Sequence, residues 1–504
     1  MDMINGLLSG FQGLLHPEVL FYCFAGVFVG TLVGVLPGIG PIGAMSILLP
    51  STYGISPTSS VIMLAGIYYG AMYGGSTTSI LVNIPGEAAS VVTCLDGYQM
   101  ARKGRAGPAL GISAMGSFIG GTFAIVALMF LSFPLADAAV KFGAPEFFSV
   151  MVLAMTLLTY LASGSTINAL LMIVVGLILG CVGMDPIAGI PRFAFGSTTL
   201  LDGVGLVPVA MGLFGISEVL TNVGVVQERR ILDAKIKNLF PNLEDWKRSI
   251  GPIWRGSIMG FFLGILPGGG AITSTFLSYT AEKKLSKNPE EFGKGAIEGV
   301  AGPETANNAA AGGSFVTMMA LGIPPNAIMA ILLAALIVHG VTPGPLLMSQ
   351  HPEIFWGVIA SMYMGNIMLV ILNLPLLGLW VKILKVPYRM LMPLILLCCL
   401  IGAYSTGNNA MDVVIMIIFG VVGYVLRKIG YELAPLILAL ILGPLMETNF
   451  RNSLTLSDGS LLIFLTRPIS VTFLAISALL LLSTGFSSYK KTKARIIKEA
   501  GRGN

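Results

Sequence analysis

The sequence predicts an all-α polytopic membrane protein, and three observations support that prediction. Of the 504 residues, 55% are hydrophobic and only 11% are charged, and the mean hydropathy is +0.86. Long apolar runs recur along the whole chain, as in proteins with many membrane helices. A motif rich in glycine and proline also occurs twice. We therefore expect about 12 transmembrane segments arranged as two structural repeats.

The duplicated motif reads GVFVGTLVGVLPGIGP at 26–41 and GSIMGFFLGILPGGGA at 256–271, a constant offset of 230 residues. Its glycines recur at every fourth position, which lines one helical face and lets another backbone approach closely. Proline and further glycines then end the helix, because proline lacks an N–H and glycine adopts dihedral angles that other residues avoid. Each copy therefore predicts a membrane helix that breaks partway and continues as a short return segment.

A second sequence feature is also duplicated. GGSTTSILVNIPGEAAS at 74–90 is similar to GGSFVTMMALGIPPNAI at 312–328. The alignment pairs three small residues and one Ile-Pro step, Gly74-Gly75-Ser76 with Gly312-Gly313-Ser314 and Ile84-Pro85 with Ile323-Pro324. Each half is expected to contain a broken helix, a re-entrant hairpin interrupted by proline, and a bundle of ordinary helices. The helix before the first hairpin is predicted at 57–73.

Charged loops predict that the two repeats are inverted, because Lys and Arg accumulate on the cytoplasmic side. Three basic residues at 102–105 follow the first hairpin, whereas the corresponding loop at 342–353 has no Lys or Arg. Conversely, three basic residues lie at 382–389, whereas the counterpart at 134–145 contains only Lys141. Equivalent loops therefore face opposite sides. The N-terminus is expected to be periplasmic and the C-terminus cytoplasmic.

These observations divide the chain into four predicted parts. The first transmembrane repeat covers 1–226 and the second, inverted repeat covers 252–460. A charged cytoplasmic connector at 227–251 joins them. An extra C-terminal helix and a basic cytoplasmic tail occupy 461–504.

The two hairpins are candidate sites for a small anion. No Lys or Arg occurs between residues 26 and 101 or between 295 and 381, so a basic clamp is excluded there. An anion would be held by helix N-termini, backbone N–H groups and neutral polar side chains. The candidates are Ser76, Thr77, Thr78 and Asn83 in the first half and Asn307, Asn308, Ser314, Thr317 and Asn326 in the second. Each of these residues alone could equally be a helix-packing contact.

The coupling ion is open between sodium and a proton. Unwound carbonyls around Pro37-Gly38 and Pro267-Gly268 suit a hard monovalent cation, which favours sodium. Four acidic residues at membrane depth are the candidates for proton coupling, namely Glu87, Glu218, Glu304 and Asp412. The three histidines and five cysteines form no transition-metal pattern. The net charge of +5 lies mostly in loops and the tail, which favours membrane orientation and not nucleic-acid binding.

Five segments together resemble a known family. They are the paired GxLPGxG breaks, NIPGEAASVVTCLDGYQMARKGRAGPAL at 83–110, GAIEGVAGPETANNAAAGGS at 295–314 and GIPPNAIMAILLAALIVHGVTPGPLL at 322–347. Through these segments the chain resembles the large membrane subunit (TctA) of bacterial tripartite tricarboxylate transporters. The resemblance implies a symporter of the bacterial inner membrane, typically sodium-coupled, for citrate and other small carboxylates. It also implies two partners, a small membrane subunit and a periplasmic solute-binding protein.

The resemblance also implies which residues bind substrate and ion. The expected substrate cradle consists of Ser76, Thr77, Asn83, Pro85 and Gly86 in one hairpin and Gly313, Ser314, Pro324 and Asn326 in the other. The expected ion-side elements are the two breaks and a nearby amide, namely Pro37, Gly38, Gly40, Pro267, Gly268, Gly270 and Asn307. No other cofactor is expected.

Two other classes of protein compete with this reading. A passive anion channel could use the same broken helices, although it has no need of a substrate-sized cradle. An intramembrane enzyme would need a nucleophile with a base or a pair of carboxylates at depth, and we recognise no such pattern. We therefore expect a carrier and not an enzyme.

Overall fold

The computed structural model describes residues 3–36, 40–161, 165–223, 239–384, 386 and 388–483. These residues confirm the predicted fold class, an all-α polytopic membrane protein. The strands among them are β1 (Gly183–Met184) and β2 (Pro191–Arg192), which pair antiparallel in a loop. Six of the described helices are long and apolar enough to cross a membrane: Pro17–Val35, Ala106–Val140, Ala144–Leu161, Pro352–Asn373, Met390–Gly407 and Ala410–Lys428.

Ten helices precede the connector. They are α1 (Met3–Leu14), α2 (Pro17–Val35), α3 (Gly40–Leu48), α4 (Pro57–Val82), α5 (Val91–Arg102), α6 (Ala106–Val140), α7 (Ala144–Leu161), α8 (Thr166–Gly180), α9 (Leu206–Ala210) and α10 (Ser217–Asn222). A π-helical turn at Met211–Ile216 joins α9 to α10. Short 3₁₀ turns lie at Leu49–Thr52, Ala88–Ser90 and Thr199–Asp202.

Twelve described helices follow. They are α11 (Leu243–Ile265), α12 (Gly270–Leu285), α13 (Glu298–Leu321), α14 (Ala327–Val338), α15 (Leu347–Gln350), α16 (Pro352–Asn373), α17 (Leu377–Ile383), α18 (Tyr388–Gly407), α19 (Ala410–Lys428), α20 (Ala434–Leu456), α21 (Ile463–Thr466) and α22 (Pro468–Ser483). A 3₁₀ turn lies at Pro289–Glu291.

The glycine stripe of α2 packs directly against α4. A Cβ placed on any of its three glycines would lie 2.2 to 2.5 Å from a carbonyl oxygen of α4, in the pairs Gly26–Met63, Gly30–Ile67 and Gly34–Ala71. Such distances leave no room for a side chain. The spacing of four residues therefore brings the two backbones into contact, as the sequence predicts.

The second half repeats this packing at equivalent positions. A Cβ on the glycines of α11 would lie 2.2 to 2.4 Å from carbonyl oxygens of α13, in the pairs Gly256–Gly302, Gly260–Ala306 and Gly264–Ala310. The glycines are offset by 230 residues from those of α2, and their partners by 239 residues from those of α4. The helix pair α2–α4 is therefore duplicated, contact by contact, in α11–α13.

These contacts correct the hairpin alignment by one residue. A Cβ on Gly74 would lie 2.4 Å from Thr31 O, and a Cβ on Gly313 would lie 2.3 Å from Phe261 O. Because Thr31 and Phe261 are themselves offset by 230 residues, Gly74 corresponds to Gly313 and not to Gly312. The letters GGS match at an offset of 238, but packing against the partner helix sets the true register of 239.

The structure divides into two compact units, and each draws on both sequence halves. The first unit contains Met1–Val140 and Gly205–Lys428, and the second contains Lys141–Val204 and Ile429–Asn504. The predicted repeat boundaries at 226 and 252 stay a prediction. Within the first unit, α6 packs on α11 and α13 while α16 packs on α2 and α4. A long helix of each repeat therefore packs against the glycine-packed helix pair of the other repeat.

The second unit has its own core and its own charge cluster. Helix α20 packs between α7 and α8, and a Cβ on Gly176 would lie 2.3 Å from Leu436 O. In the loop that carries β1, the carboxylate of Asp185 accepts hydrogen bonds from the N–H groups of Ile187 and Ala188, each at 2.8 Å. The Ala188 N–H and the Arg451 guanidinium hold the pKa of this carboxyl well below its usual range. The loop is thereby fastened to α20.

Several helix bounds differ from the prediction. Helix α4 does not end at 73 but continues to Val82, because Gly74 packs against α2 within the helix and does not begin a turn. Helix α11 begins at Leu243, inside the predicted connector, with Asn242 as its N-cap. Helix α1 was not predicted, and its Gly6 and Gly10 pack against Trp356 of α16. Residues 224–238 and the tail from 484 lie outside the described residues.

Candidate functional site

Each glycine-rich helix ends at a break, and the break in the second half is fully described. Gly268 and Gly270 adopt φ angles of +78° and +47°, which favour glycine. The N–H of Gly268 donates to the carbonyl of Pro325 in the neighbouring hairpin at 2.9 Å. Pro267 is half-buried beside it. In the first half Pro37 and Gly38 lie outside the described residues, whereas Gly40 has a φ of +63° like its counterpart Gly270.

Each hairpin reverses through a left-handed residue and then a proline. Asn83 follows α4 as its C-cap with φ +60°, and Gly322 follows α13 as its C-cap with φ +71°. The following turn in each half is capped by the residue two positions after the first proline. Glu87 Oε2 accepts from the Ala89 N–H at 2.6 Å, and Asn326 Oδ1 accepts from the Met329 N–H at 3.0 Å. Glu87 and Asn326 are therefore equivalent caps, 239 residues apart.

The hairpins hold the ends of the broken helices in place. The Thr78 hydroxyl donates to Val35 O at 2.6 Å, and the Thr317 hydroxyl donates to Ile265 O at 2.7 Å. These are the last residues of α2 and α11, whose terminal carbonyls a helix leaves unpaired. Two threonines at equivalent positions thus satisfy two equivalent carbonyls. The cost of breaking a helix inside the protein is reduced in the same way in both halves.

The capping residues also reach across to the opposite repeat. Asn307 Nδ2 of α13 donates to Glu87 Oε1 at 3.3 Å, and Asn326 Nδ2 lies 3.5 Å from the Tyr68 hydroxyl of α4. Tyr68 and Asn307 are equivalent at the offset of 239. The two contacts are therefore the two copies of one interaction between repeats. They differ in charge, because one copy contains a carboxylate and the other is neutral.

A second buried carboxylate lies next to the charged copy. Glu304 is one turn before Asn307 on α13 and is 1% exposed. Its two oxygens accept from the hydroxyls of Thr93 on α5 and Ser76 on α4, the latter at 2.5 Å. Within the described residues, no ion pair joins Glu87 or Glu304 to a basic side chain. Two buried acids thus share a region whose hydrogen-bond donors are all neutral.

The structure gives the predicted substrate residues unequal surroundings. Asn83 is exposed at the tip of its hairpin, Pro85 is half-buried and Gly86 is buried. Thr77 is buried, and Ser76 is engaged with Glu304. In the second half Gly313 and Pro324 are buried, and Asn326 donates to the Ser314 hydroxyl at 3.0 Å. The two asparagines therefore offer the most accessible polar groups of the predicted cradle.

The predicted ion-side residues are separated by the structure. Gly268 and Gly270 lie at the second break, where the Gly268 N–H is already bonded. Asn307 is fully buried and contacts Glu87 instead. Of the acids considered for proton coupling, Glu218 pairs with Arg427, and Asp412 begins α19 with a partly exposed side chain. Glu87 and Glu304 are the pair that the fold brings together.

Two residues of this region could not be found from local sequence patterns. Thr93 follows the hairpin on α5, 211 residues from its partner Glu304. Tyr68 lies in the middle of α4 among apolar residues, 258 residues from Asn326. Only the offset of 239 residues between the repeats indicates Tyr68, because at that offset it aligns with Asn307. The alignment at 238 concealed that relationship.

The fold and these paired breaks define a polytopic membrane protein built from duplicated broken-helix units. Residues 20–438 match the family described as tripartite tricarboxylate transporter TctA family. The chain belongs to this family. Membership indicates the large membrane subunit of a tripartite transporter and points to transport, not to enzymatic chemistry.

Two relatives from Agrobacterium vitis are similar to the chain. One is an uncharacterized 52.8 kDa protein in the TAR-I ttuC' 3' region, 52% identical over 476 residues, which are 94% of this chain and 95% of the relative. The other is an uncharacterized protein in the TAR-II ttuC' 3' region, 49% identical over 240 residues, which are 48% of this chain and 99% of the relative. No solved structure matches the chain.

Proposed function

We propose that this chain is the large permease subunit of a binding-protein-dependent secondary transporter that imports small carboxylates together with sodium. The observation that carries the proposal is the duplicated pair of broken helix and proline hairpin, in a chain of the TctA family. Paired interrupted helices in corresponding positions characterise the substrate sites of secondary transporters. Di- and tricarboxylates such as citrate are the proposed substrates.

The charge distribution supports an unusual way of holding the carboxylate. The hairpins and the helices around them contain no Lys or Arg from 26 to 101 or from 295 to 381. The carboxylate would therefore bind to the amide of Asn83, to backbone N–H groups at the hairpin turns and to the N-terminus of α14, where Asn326 is the cap. Sodium bound near the hairpins would compensate the charge of the substrate. This arrangement makes anion binding depend on the cation.

The proposed assembly has three components in the bacterial inner membrane and periplasm. A periplasmic solute-binding protein would deliver the carboxylate to the external face, and a small membrane subunit would complete the permease. The N-terminus would be periplasmic and the C-terminus cytoplasmic. Movement of the hairpins relative to the remaining helices would then expose the site to the cytoplasm.

Uptake into membrane vesicles tests this proposal. Vesicles containing the chain and its small subunit are mixed with labelled citrate, malate or succinate, with and without the binding protein and an inward sodium gradient. We expect accumulation of at least one carboxylate only when both are present. Rapid equilibration that ignores both would indicate a passive anion channel. Accumulation driven by a proton gradient without sodium would indicate a proton-coupled carrier.

A variant of Asn83 tests the cradle in the same assay. Asn83→Gly removes the amide while tolerating the φ of +60°, and glycine is the residue at the equivalent position 322. The protein should reach the membrane in normal amount, with uptake reduced by about tenfold, as when a ligand loses a well-placed hydrogen bond to a charged group. Normal uptake kinetics in this variant would remove Asn83 from the cradle.

A further inference from the structure

We propose that Glu87 and Asn307 hold one sodium ion between the two repeats, beside Glu304. The inference rests on the proposed sodium symport and assigns it to a specific pair of side chains. It differs from the expectation that the cation binds at the glycine-proline breaks.

The unpartnered atom is Oδ1 of Asn307. This side chain is 0% exposed, and its Nδ2 lies 3.3 Å from Glu87 Oε1. Among the described residues, Oδ1 meets no hydrogen-bond donor. Oδ1 belongs to the same planar amide whose Nδ2 contacts Glu87. A buried acceptor without a donor is unfavourable, and a bound cation would remove that penalty.

The neighbouring charges explain why the ligand should be a cation. Glu87 is 7% exposed and Glu304 is 1% exposed, and their carboxylates repel each other. Burial of a carboxylate is unfavourable unless a positive charge compensates it. The nearby protein donors are neutral, namely Ala89 N–H, Asn307 Nδ2 and the hydroxyls of Ser76 and Thr93. With both acids ionised, the region would have negative charge and no basic partner within the described residues.

The number of free ligands favours a monovalent cation. Both oxygens of Glu304 accept short hydroxyl hydrogen bonds, so Glu304 supplies electric field and not a ligand. Glu87 Oε1 accepts only the long 3.3 Å contact from Asn307, and it is the carboxylate oxygen most open to a cation. Glu87 contributes one negative charge and Asn307 a neutral oxygen. Hard oxygen ligands with one net charge suit sodium, and unpaired acids at membrane depth mark ion pathways.

The other copy of the same contact provides an internal comparison. At the equivalent positions, Asn326 replaces Glu87 and Tyr68 replaces Asn307. There the asparagine amide is fully used, since Nδ2 contacts Ser314 and Tyr68 while Oδ1 accepts from Met329. That copy is neutral and its hydrogen bonds are satisfied. In one copy of this contact the protein's own hydrogen bonds are therefore sufficient, whereas the other copy requires a bound cation.

The location explains how binding could be linked to movement. Glu87 caps the turn that follows the first hairpin, whereas Asn307 and Glu304 belong to α13 of the second repeat. A cation bound by both would join the hairpin of one repeat to the long helix of the other. Its release would leave the two carboxylates repelling each other, which would favour separation of the hairpin. Sodium would therefore stabilise one arrangement of the repeats.

Direct binding of ²²Na⁺ to the purified large subunit tests this site without requiring transport. The measurement is made in lipid nanodiscs at a fixed pH, with choline as the replacement cation. Wild type should show saturable binding, and Glu87→Gln should weaken it by about tenfold or more, as should Asn307→Ala. Gln keeps an oxygen that can cap Ala89, so the turn should stay folded. The matched control is Tyr68→Phe, in the neutral copy, which should bind sodium within about twofold of wild type.

The outcomes separate this inference from the proposed function. Unaltered sodium binding in Glu87→Gln, or equal losses in Glu87→Gln and Tyr68→Phe, would overturn the site. Absence of sodium binding in folded wild type would overturn it as well. Thermal unfolding gives a second readout. Sodium should raise the melting temperature of wild type and of Tyr68→Phe but not that of Glu87→Gln or Asn307→Ala, and this result would support the site. Failure of carboxylate uptake would count against the proposed function. It would not affect the sodium site, because the binding measurement does not depend on transport.

Discussion

Replacing Glu304 by glutamine is expected to reduce carboxylate uptake by about tenfold or more while leaving the protein folded. Gln retains one acceptor and gains one donor, so the hydroxyls of Ser76 and Thr93, which can each donate or accept, remain paired. The negative charge beside Glu87 is lost, and with it the field that favours a bound cation. Losses of this size are typical when the surroundings of a bound ion are altered.

The alanine variant separates charge from packing. Glu304→Ala leaves both hydroxyls without their acceptor, and each orphaned group is unfavourable by about 1–3 kcal/mol. We therefore expect Glu304→Ala to lose both stability and uptake, and Glu304→Gln to lose mainly uptake. Thermal unfolding and vesicle uptake are measured on the same preparations. Wild-type uptake in Glu304→Gln would show that the charge has no part in transport.

Replacing Gly86 by alanine is expected to abolish uptake and to lower the yield of folded protein. A Cβ at Gly86 would lie 2.0 Å from Gly34 O and 2.6 Å from Gly75 Cα. Both neighbours are backbone atoms in the packed helices α2 and α4, so neither can move aside easily. Overpacking of this kind is unfavourable by about 1–3 kcal/mol or more, and here it would also displace the hairpin from the end of α2.

The control for Gly86 is Gly54→Ala. An added Cβ at Gly54 meets nothing within 4 Å, so uptake and yield should match wild type. Both variants are measured by membrane yield, thermal unfolding and uptake. Equal behaviour of Gly86→Ala and Gly54→Ala would contradict the close contact between the hairpin and the broken helix.

The sequence predicted the packing within each repeat because that packing depends on local periodicity. Glycines at 26, 30 and 34 mark a helical face without side chains whatever helix lies opposite, and the structure confirms the close contact with α4. The Ile-Pro steps likewise predict an interruption in each hairpin, although α4 ends at Val82 and not at the predicted residue 73. These features are determined by residues within one or two turns of each other.

Contacts between the repeats were not predictable in the same way. The pairs Ser76–Glu304 and Asn307–Glu87 join residues 228 and 220 positions apart, and nothing in the local pattern indicates them. The GGS identity also lies one residue out of the structural register. Sequence identity favoured matching Gly75 with Gly313, whereas the backbone contacts match Gly74 with Gly313. The polar chemistry of the site therefore required the three-dimensional structure.

The proposed transport site requires two repeats that face opposite sides of the membrane. Cysteine labelling tests this orientation most directly. Lys103 and Thr342 occupy equivalent exposed positions, 239 residues apart, after α5 and α14. Each is changed to cysteine in a variant lacking the five native cysteines, and a membrane-impermeant maleimide is applied to spheroplasts and to inside-out vesicles. Permeabilised membranes provide the control for reactivity.

Inverted repeats predict complete separation of the two labelling patterns. Lys103→Cys should react only in inside-out vesicles, because its basic loop is cytoplasmic. Thr342→Cys should react only in spheroplasts. Labelling of both positions from the same side would mean that the repeats are parallel, and the paired hairpins would then not form the two sides of one transport site.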